Sequence, residues 1–492
     1  MARNIQMQSF SRVKFSISFL ILLSLNLFGN GYKKIEKLYS QLKGFKTLVV
    51  YDLSRNKLLI SKNSKNLFKP ASILKVITAY SYLKTFSPEK KFHTRVYLDS
   101  LPDKNGIVKG SIYIFGDGDP SLSYRFFDND REKPMEYFVD EILKNFNIKG
   151  ITGNIVVDDS KYLYKPYGPS WSWEVFQWAY GVKVSAISLN DNTFNVKLIP
   201  TKNGKRIEIE TTPKFMEKEI INNCISRKNA VIKDLVAFKP FDSDKIFLGG
   251  FLPLKLPNWN LKIAMTDPAL FFGKTLKEEL KKRGIKVNGK VKVIHRYHYL
   301  KFKKLSYRDK VMIKISGKYV KEVIKKMLKK SINLYAELLL RDMGSLSPFN
   351  KNRDERKLGL EREYKVLFPI LKKDKNALIV DGSGLSQRNL ITPLALIKVL
   401  KKIYRWKYFG KFLKFLPISG IDGTLKNRLK GKYRGRIFAK TGQIEEVVSR
   451  LGYIKTFSGK YLAFVLITNN DPNYKLHTKD IFDKICKVLC KF

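Results

Sequence analysis

The sequence predicts a mixed α/β protein in which one α/β domain is interrupted by a β-rich insert. Amphipathic helical patterns lie near the start of the chain and again from about residue 265, with strand-like runs beside them. Between them, residues 93–264 carry short strand-like runs separated by turn residues. The 492 residues, 44% of them hydrophobic, are enough for more than one core and exclude a disordered chain.

The first 31 residues have the layout of a secretory signal peptide. Basic residues precede an apolar run from Phe15 to Phe28, and the breaker Gly29-Asn30-Gly31 follows it. The run is short for a bilayer span, so we expect export to the periplasm with removal of the segment near Gly31. An uncleaved signal that keeps the protein at the membrane is the alternative.

The formal net charge is +52, from 95 Lys and Arg against 43 Asp and Glu. Such a charge makes nucleic acid the first partner to consider. Lysine is spread along the whole chain, however, without an Arg-rich arm or a zinc-finger spacing, so we expect no nucleic-acid partner. A solvated lysine surface and attraction to anionic membrane or wall polymers both stay open.

The first part of the α/β domain is predicted to span residues 32–92. Lys33–Lys43 has the pattern of a short amphipathic helix, and Leu48–Leu53 with Lys57–Ile60 that of a hairpin. Lys69–Tyr80 then predicts a helix, because Pro70 suits a first helical turn and apolar residues recur at helical spacing after it.

Strand-like runs predict the insert over residues 93–264, and helices and strands predict the second domain part over 265–492. The runs in the insert are Thr94–Leu98, Ser111–Phe115, Ile155–Asp158, Ile207–Thr211 and Ile246–Leu252. The helices expected in the second part are Pro268–Arg283, Val320–Leu328, Leu334–Met343, Pro393–Tyr404 and Asp480–Leu489. Its expected strands are Ile285–Ile294, Ala377–Val380, Ile437–Ala439, Gly452–Lys455 and Tyr461–Thr468.

Ser72 and Lys75 open the predicted helix that follows Pro70. Their spacing of three places a hydroxyl and an amine on one helix face, about 5–6 Å apart at Cβ. A serine beside a partly buried amine and near a helix N-terminus can act as a nucleophile. The spacing alone is weak evidence, since Ser54–Lys57 and Ser87–Lys90 share it in less suitable surroundings.

Two further motifs follow in order: Ser331-x-Asn333 and Lys440-Thr441-Gly442. Ser-x-Asn also occurs at Ser188 and Ser64 and means little by itself, whereas Lys-Thr-Gly occurs once, at the start of a predicted strand. The three motifs in this order are those of β-lactamases and penicillin-binding proteins. Their joint occurrence therefore indicates a serine acyl-transfer enzyme.

Longer stretches of sequence narrow the choice among these enzymes to one family. Lys69–Tyr80, Ser331–Gly344, Asp381–Pro393, Leu416–Arg428 and Lys440–Tyr453 closely resemble the class C low-molecular-mass penicillin-binding proteins, which are D-alanyl-D-alanine carboxypeptidases/endopeptidases. The resemblance covers nearly all of the mature chain. It implies a penicillin-recognising serine transpeptidase/β-lactamase-like domain that is split in sequence by a two-part insert.

The resemblance also implies the substrates: acyl-D-Ala-D-Ala stem peptides, or D-Ala-diaminopimelate cross-links, of peptidoglycan, with β-lactam antibiotics as acylating ligands. It implies that Ser72 attacks, that Lys75 takes its proton, and that Ser331 and Asn333 relay a proton and hold the peptide. Desolvation and a nearby Lys440 are expected to lower the pKa of Lys75.

The Lys-Thr-Gly strand is implied to bind the substrate. Lys440 and Thr441 suit the terminal carboxylate, Gly442 leaves room along the strand edge, and the backbone N–H groups of Ser72 and Gln443 form an oxyanion hole. Gln443 departs from the small hydroxyl residue more usual in the family and keeps the backbone donor. Glu174 and Tyr180 lie in the region that recognises diaminopimelate in the family.

We expect no metal and no cofactor. His295 and His298 lack an acidic or Cys partner nearby in sequence, so surface positions are favoured for both. The cysteines are Cys224, Cys486 and Cys490, which do not indicate a disulfide framework. The turns Asp381–Ser386 and Asp422–Leu425 are interpreted as shaping the domain rather than as catalytic.

Two rival functions stay open beside the peptidase. A β-lactamase-like or esterase-like hydrolase would use the same serine and fold, and would deacylate penicillin quickly. A wall-binding protein without catalysis would use its positive charge to hold anionic polymers. The large insert favours the peptidase over the first, and the three intact motifs favour it over the second.

Overall fold

The computed structural model describes residues 29–298, 300–350, 352–372, 377–472, 474 and 476–492. The apolar run Phe15 to Phe28 of the predicted signal peptide lies outside these residues. Inside them, no helix combines the length and the apolar character needed to cross a membrane.

The helices and strands of the described chain alternate in sequence. The helices are α1 (29–40), α2 (Lys75–Thr85), α3 (Lys133–Asn145), α4 (Pro268–Lys282), α5 (Val320–Lys330), α6 (Asn333–Gly344), α7 (Glu355–Leu371), α8 (Pro393–Tyr404), α9 (Phe409–Leu413) and α10 (His477–Leu489). The strands are β1 (Phe45–Asp52), β2 (Lys57–Lys62), β3 (Lys91–Leu98), β4 (Ile107–Val108), β5 (Ile112–Phe115), β6 (Gly150–Ile151), β7 (Ile155–Leu163), β8 (Thr193–Ile199), β9 (Glu208–Thr212), β10 (Ile220–Asn222), β11 (Ile225–Arg227), β12 (Leu235–Phe238), β13 (Ile246–Pro253), β14 (Trp259–Ala264), β15 (Lys286–Val287), β16 (Val291–Arg296), β17 (Val311–Tyr319), β18 (Ile437–Ile444), β19 (Val447–Lys455) and β20 (Tyr461–Asn469).

A five-stranded antiparallel sheet in the order β18-β19-β20-β1-β2 forms the middle layer of one part of the molecule. Successive side chains of a strand point to opposite faces of its sheet. In β20, Leu462 and Phe464 pack with α1 and α10, while Ala463 and Val465 pack with α2, α5, α6 and α8. The sheet is thus covered by helices on both faces.

A second core lies around the sheet β16-β7-β5-β3-β17 and the helices α3 and α4. Phe138 of α3 and Phe272 of α4 are fully buried there and meet edge to face, with ring centroids 5.1 Å apart. Smaller sheets, β14-β8-β9 and β10-β13-β11 with β12 paired to β13, extend this part of the molecule.

The domain bounds 32–92, 93–264 and 265–492 stay predictions, but the strand pairing bears on where the insert ends. Strand β17 pairs with β3, and β16 pairs with β7. Helix α4 shares the second core with these strands. The pairing favours an insert that continues past residue 264 to the end of β17 at Tyr319.

The elements differ from the sequence-based expectation in a few places. The expected strand Ile285–Ile294 is divided into β15 and β16, and Ala377–Val380 makes only an isolated bridge from Leu378 to Leu390. Helices α3, α7 and the short α9 were not predicted. Helix α7 buries Glu355 and Glu363, so its buried face does not show as an apolar pattern. The cysteines Cys224, Cys486 and Cys490 are buried and free.

Candidate active site

Ser72 lies in a tight 3-10 turn, Ala71–Leu74, that leads directly into α2. Ala71 has a φ of 49°, in the left-handed region that residues other than glycine rarely adopt. Ser449 of β19 fixes the turn, since its Oγ donates to the Pro70 carbonyl oxygen at 2.6 Å. The sheet thus holds the start of α2, and with it Ser72, in place.

The Lys75 amine is the centre of a short hydrogen-bond cluster. It is fully buried, and its Nζ lies 2.8 Å from Ser72 Oγ. The same Nζ lies 2.6 Å from Asn333 Oδ1 and 2.6 Å from the Ser383 carbonyl oxygen. All three partners are neutral oxygens, so no direct contact with a carboxylate forces the amine to stay protonated.

Burial lowers the pKa of Lys75 to about 7, although the carboxylates of Asp381 and Glu337 oppose this effect. An amine with this pKa is about half neutral at pH 7, which lets it accept a proton from Ser72. Burial also lowers the pKa of Lys440 well below its ordinary value, and repulsion by Lys75 adds to this.

Ser331 and Asn333 reach the cluster from the junction of α5 and α6. Ser331 ends α5 with φ 60° and ψ 40°, a left-handed conformation, and its Oγ accepts a hydrogen bond from Lys440 Nζ at 2.8 Å. Asn333 begins α6, and its Nδ2 donates to the Tyr180 carbonyl oxygen at 2.8 Å. The insert therefore holds the outer side of the Asn333 amide.

Residues 440–443 lie on β18, which is an edge strand of the five-stranded sheet. A Cβ added to Gly442 would lie 2.2 Å from Ser449 Oγ and 2.9 Å from the Ser72 backbone nitrogen, so any larger residue would displace the turn. Thr441 Oγ1 donates to Thr424 Oγ1 at 2.8 Å. The edge of β18 and the Ser72 turn thus face each other closely.

A cleft of about 520 Å³ opens above Ser72. The insert contributes Ser170, Ser172, Glu174, Val175 and Tyr180 to its walls, and the other part contributes Ser331, Asn333, Leu385, Gln387, Gln443, Ile444, Glu445 and Tyr474. A second cavity of about 300 Å³ runs from Ser72 past Thr441 and Gly442 to Thr424 and Arg428. Lys75 and Lys440 lie fully buried, below the cleft surface.

The structure thus brings together the seven residues that the motifs named, and Gln443 with them. The sequence did not reveal Glu337 and the Ser383 carbonyl as part of the same cluster. The loop Asp381–Ser386 was interpreted as a turn that shapes the domain; it does so, and it also presents the carbonyl to Lys75. Glu337 follows Asn333 by four residues on α6, a spacing that places both on one helix face.

Comparison with models of protein families shows which family this chain resembles. The model of the D-Ala-D-Ala carboxypeptidase 3 (S13) family matches residues 33–491. The chain belongs to this family. The predicted assignment to D-Ala-D-Ala carboxypeptidases, and thus to serine-type hydrolases, is confirmed.

Curated relatives within this carboxypeptidase family match over most of their length. The D-alanyl-D-alanine carboxypeptidase DacB of Haemophilus influenzae is 24% identical over 439 residues, which are 88% of this chain and 86% of the relative. The D-alanyl-D-alanine carboxypeptidase of Actinomadura sp. is 24% identical over 436 residues, 86% of this chain and 77% of the relative.

Solved structures confirm the fold of the carboxypeptidase. The crystal structure of penicillin binding protein 4 from Haemophilus influenzae superposes with a TM-score of 0.74 and 22% identity, covering 93% of this chain and 99% of that one. The same protein complexed with a β-lactam gives 0.69 and 21%, covering 92% and 98%. The predicted mixed α/β, transpeptidase-like fold is therefore confirmed.

Proposed function

We propose that this carboxypeptidase cleaves D-Ala-D-Ala stem peptides, and D-Ala-diaminopimelate cross-links, of peptidoglycan through an acyl-enzyme on Ser72. The observation that carries the proposal is the pair of Ser72 Oγ and the buried Lys75 Nζ, 2.8 Å apart, with the Lys75 pKa near 7. A hydroxyl next to a neutral amine has its general base in hydrogen-bond reach.

In acylation, Ser72 Oγ attacks the carbonyl carbon of the penultimate D-alanine while its proton passes to Lys75 Nζ. The peptide bond then breaks, and the leaving amine takes the proton that Lys75 had accepted, with Ser331 Oγ as the relay, so Lys75 is neutral again. In deacylation, water attacks the ester and gives a proton to Lys75, which returns it to Ser72 Oγ as the acyl group leaves. Ser331 Oγ is held for this role by a hydrogen bond from Lys440 Nζ at 2.8 Å.

The edge of β18 suits the substrate backbone. An extended peptide adds to an exposed sheet edge through main-chain hydrogen bonds, and Gly442 keeps that edge close to Ser72. The backbone N–H groups of Ser72 and Gln443 stabilise the oxyanion, an interaction usually worth about 3–4 kcal/mol per donor. Thr441 supplies a hydroxyl for the terminal carboxylate, and the negative charge of that bound carboxylate favours the protonated form of the Lys440 amine beside it.

The wall contributed by the insert suits the remainder of the stem peptide. Glu174 and Tyr180 line the cleft that opens at Ser72, and both are exposed to solvent. The carboxylate of Glu174 and the phenol of Tyr180 would contact the diaminopimelate side chain of an extended stem peptide bound at Ser72. Glu174 would pair with its ammonium group.

We place the enzyme in the periplasm, after export by the N-terminal segment or still attached through it. The net charge of +52 favours attraction to anionic membrane or wall polymers. The β-lactam complex of the Haemophilus influenzae protein supports β-lactams as acylating ligands of this chain as well.

Intact-protein mass spectrometry after incubation with benzylpenicillin tests the proposal. We expect the wild type to gain the mass of one penicillin and to keep it for minutes, and Ser72→Ala to gain nothing. The wild type should also release D-alanine from a D-Ala-D-Ala peptide. An adduct lost within seconds would favour the β-lactamase-like function. No adduct and no D-alanine release by folded wild type would favour the non-catalytic wall-binding protein.

A further inference from the structure

Glu337 of α6 lies behind the catalytic lysine and is fully buried. Its Oε1 accepts hydrogen bonds from the backbone N–H groups of Gly382 and Ser383, both at 2.9 Å. The carbonyl oxygen of the same Ser383 accepts from Lys75 Nζ at 2.6 Å. One residue of the loop thus connects the Glu337 carboxylate to the Lys75 amine.

We propose that Glu337 is a positioning residue for the acylation step that the proposed function requires. It holds the 382–383 backbone so that the Ser383 carbonyl fixes the Lys75 amine beside Ser72. Its negative charge also keeps that amine basic enough to take a proton. Without such a charge, a lysine buried among neutral oxygens would be a weak base.

The contacts of Glu337 indicate that it carries this charge. Burial and the nearby Asp381 raise its pKa, but its oxygens are aimed only at donors. Besides the two backbone N–H groups, Arg341 Nη1 donates to Oε2 at 3.1 Å. Hydrogen bonds from donors stabilise the ionised form of a carboxylate. The charged and titratable groups that face Glu337 are Arg341 on its own helix, Arg356 and Glu363 on α7, Asp381 in the loop and Lys75 on α2.

The test is the pH dependence of penicillin acylation in E337Q. Glutamine keeps an oxygen acceptor and removes the charge, which lowers the pKa of Lys75. The acid limb of the pH–rate profile, where the rate falls with decreasing pH, should therefore move to lower pH by about half a unit or more. A shift of about half a unit is a threefold change in the protonation equilibrium. The rate above pH 8 should fall, because the weaker base takes the proton of Ser72 less readily.

Glu363 provides the matched control. It is also fully buried, but its carboxylate oxygens have no hydrogen-bond partner among the described residues, and burial raises its pKa to about 8. Since it is then largely neutral at pH 7, E363Q should leave the acid limb in place. E337D keeps the charge on a shorter side chain, so it should slow acylation at every pH without moving the limb.

An E337Q limb that coincides with that of the wild type would overturn the proposal, even if the melting temperature fell. If E337Q does not fold, E337D decides the matter: a shifted limb in E337D would overturn it. A wild type that acylates with no pH limb, or not at all, contradicts the proposed function instead, so the two failures are distinguishable.

A second, independent observation concerns a groove that shares no lining residue with the Ser72 cleft and lies between the C-terminal end of α2, helix α5 and helix α9. It encloses about 330 Å³ and is lined by apolar side chains that include Leu83, Trp406 and Phe415. Lys325, Lys411 and Lys414 stand at its rim, and no ion pair or hydrogen bond engages these three amines within the described chain.

The segment beside the groove carries more positive charge than the average of the chain. Residues 401–415, which include Trp406 and α9, contain six Lys and Arg and no Asp or Glu. Lys84 Nζ lies 5.5 Å from the Trp406 ring centroid. Two acids also line the groove: Glu89 pairs with Lys321 at 2.5 Å, and Glu322 accepts a hydrogen bond from the Tyr319 backbone N–H at 3.0 Å. An apolar floor with unpaired cations at its edge is complementary to an acyl chain that carries an anionic headgroup.

We propose that this groove takes the acyl chain and phosphate of an anionic phospholipid and docks the enzyme on the membrane surface. Binding to vesicles of phosphatidylglycerol and phosphatidylcholine, compared with pure phosphatidylcholine, measures it. Since each lysine near such a surface contributes about a factor of five, K411E/K414E should weaken binding at least about tenfold. K202E/K205E, which makes the same charge change in the exposed turn after β8, should weaken it far less.

Brominated acyl chains give a second readout, because they quench tryptophan that they touch. We expect quenching in the wild type and its loss in W406F. Equal weakening by the two lysine pairs, or no quenching of Trp406, would overturn the proposal and leave a general attraction between a positive protein and any anionic polymer, such as soluble polyphosphate.

Discussion

Two of the regions that bury cations, the active-site cleft and the contact between β16 and α7, hold them in opposite ways. In the cleft, Lys75 and Lys440 hydrogen-bond to hydroxyl, amide and carbonyl oxygens. At the contact of β16 with α7, Arg296 lies 2.5 Å from Glu355, and both are buried. Cations that meet carboxylates stay charged and join elements, whereas those that meet neutral oxygens can lose their proton.

His295 on β16 shows the same rule. Burial by itself lowers its pKa, but Asp159 and Asp267, at 3.1 and 3.2 Å, outweigh this and raise the pKa to about 9. Lys75 is fully buried among neutral oxygens and has a pKa of about 7. The kind of oxygen in contact, as well as burial, therefore separates the two regions.

Lys75→Met is expected to give the largest effect. Penicillin acylation should fall by about 10⁴-fold, the upper range for loss of a general base, while the melting temperature stays level or rises. The folded protein binds fewer protons at Lys75 than the unfolded chain between about pH 7 and 10.5. Wild-type stability should therefore rise with pH in this window relative to the variant. A melting temperature many degrees lower would contradict this account of the cleft.

Arg296→Met should have the opposite pattern. It removes one of two arginines that contact the buried Glu355 and leaves Arg353, 2.7 Å away, so we expect a loss of about 3 kcal/mol of stability, the low end for a buried ion pair that loses a member. Folded protein should acylate at nearly the wild-type rate. Urea unfolding measures the stability. Lys62→Met provides the control, because its pair with Glu36 at 3.0 Å is exposed on both sides and such pairs contribute about 1 kcal/mol or less. Equal losses in the two variants would remove the contrast.

Gly442→Ala should reduce kcat/KM by about 10²-fold, a cost of about 2.7 kcal/mol at 1.36 kcal/mol per factor of ten. The added methyl meets Ser449 Oγ and the Ser72 nitrogen, so the turn that carries the nucleophile must shift. Gly410→Ala is the matched control, since nothing lies within 4 Å of a Cβ there. Unchanged kcat/KM in Gly442→Ala would show that the approach of β18 to Ser72 is not required.

Of these four variants, Thr441→Val should show the smallest effect, which we expect on KM. The hydroxyl that would bind the substrate carboxylate is lost at nearly constant volume, and a hydrogen bond to a charged group is usually worth about 1.5–3 kcal/mol. We expect KM for a D-Ala-D-Ala peptide to rise about tenfold or more with little change in kcat. Steady-state kinetics decide this, with Thr424→Val as the control that removes only the hydroxyl accepting from Thr441.

The sequence predicted the parts of the site that depend on local patterns. Ser72 and Lys75 are neighbours on one turn, and the motifs at Ser331 and Lys440 are short strings in a fixed order. The hairpin of β1 and β2 was likewise predicted, because period-two alternation is a local signal.

Features that depend on distant partners were not predictable in the same way. His295 was expected at the surface, which was wrong, because the carboxylates that hold it are 28 and 136 residues away. The role of Ser383 depends on its backbone carbonyl, which any residue type provides. Helix α7 was missed because it buries carboxylates instead of an apolar stripe.

The pH dependence of Ser72 acylation by benzylpenicillin, followed by intact mass between pH 5 and 9, shows whether Lys75 acts as a neutral base. If Lys75 is a buried base that must be neutral, the rate falls as the pH decreases through an inflection near 7. A rate that is flat across this range, or that begins to rise only near the ordinary pKa of lysine, would contradict the account of the cleft.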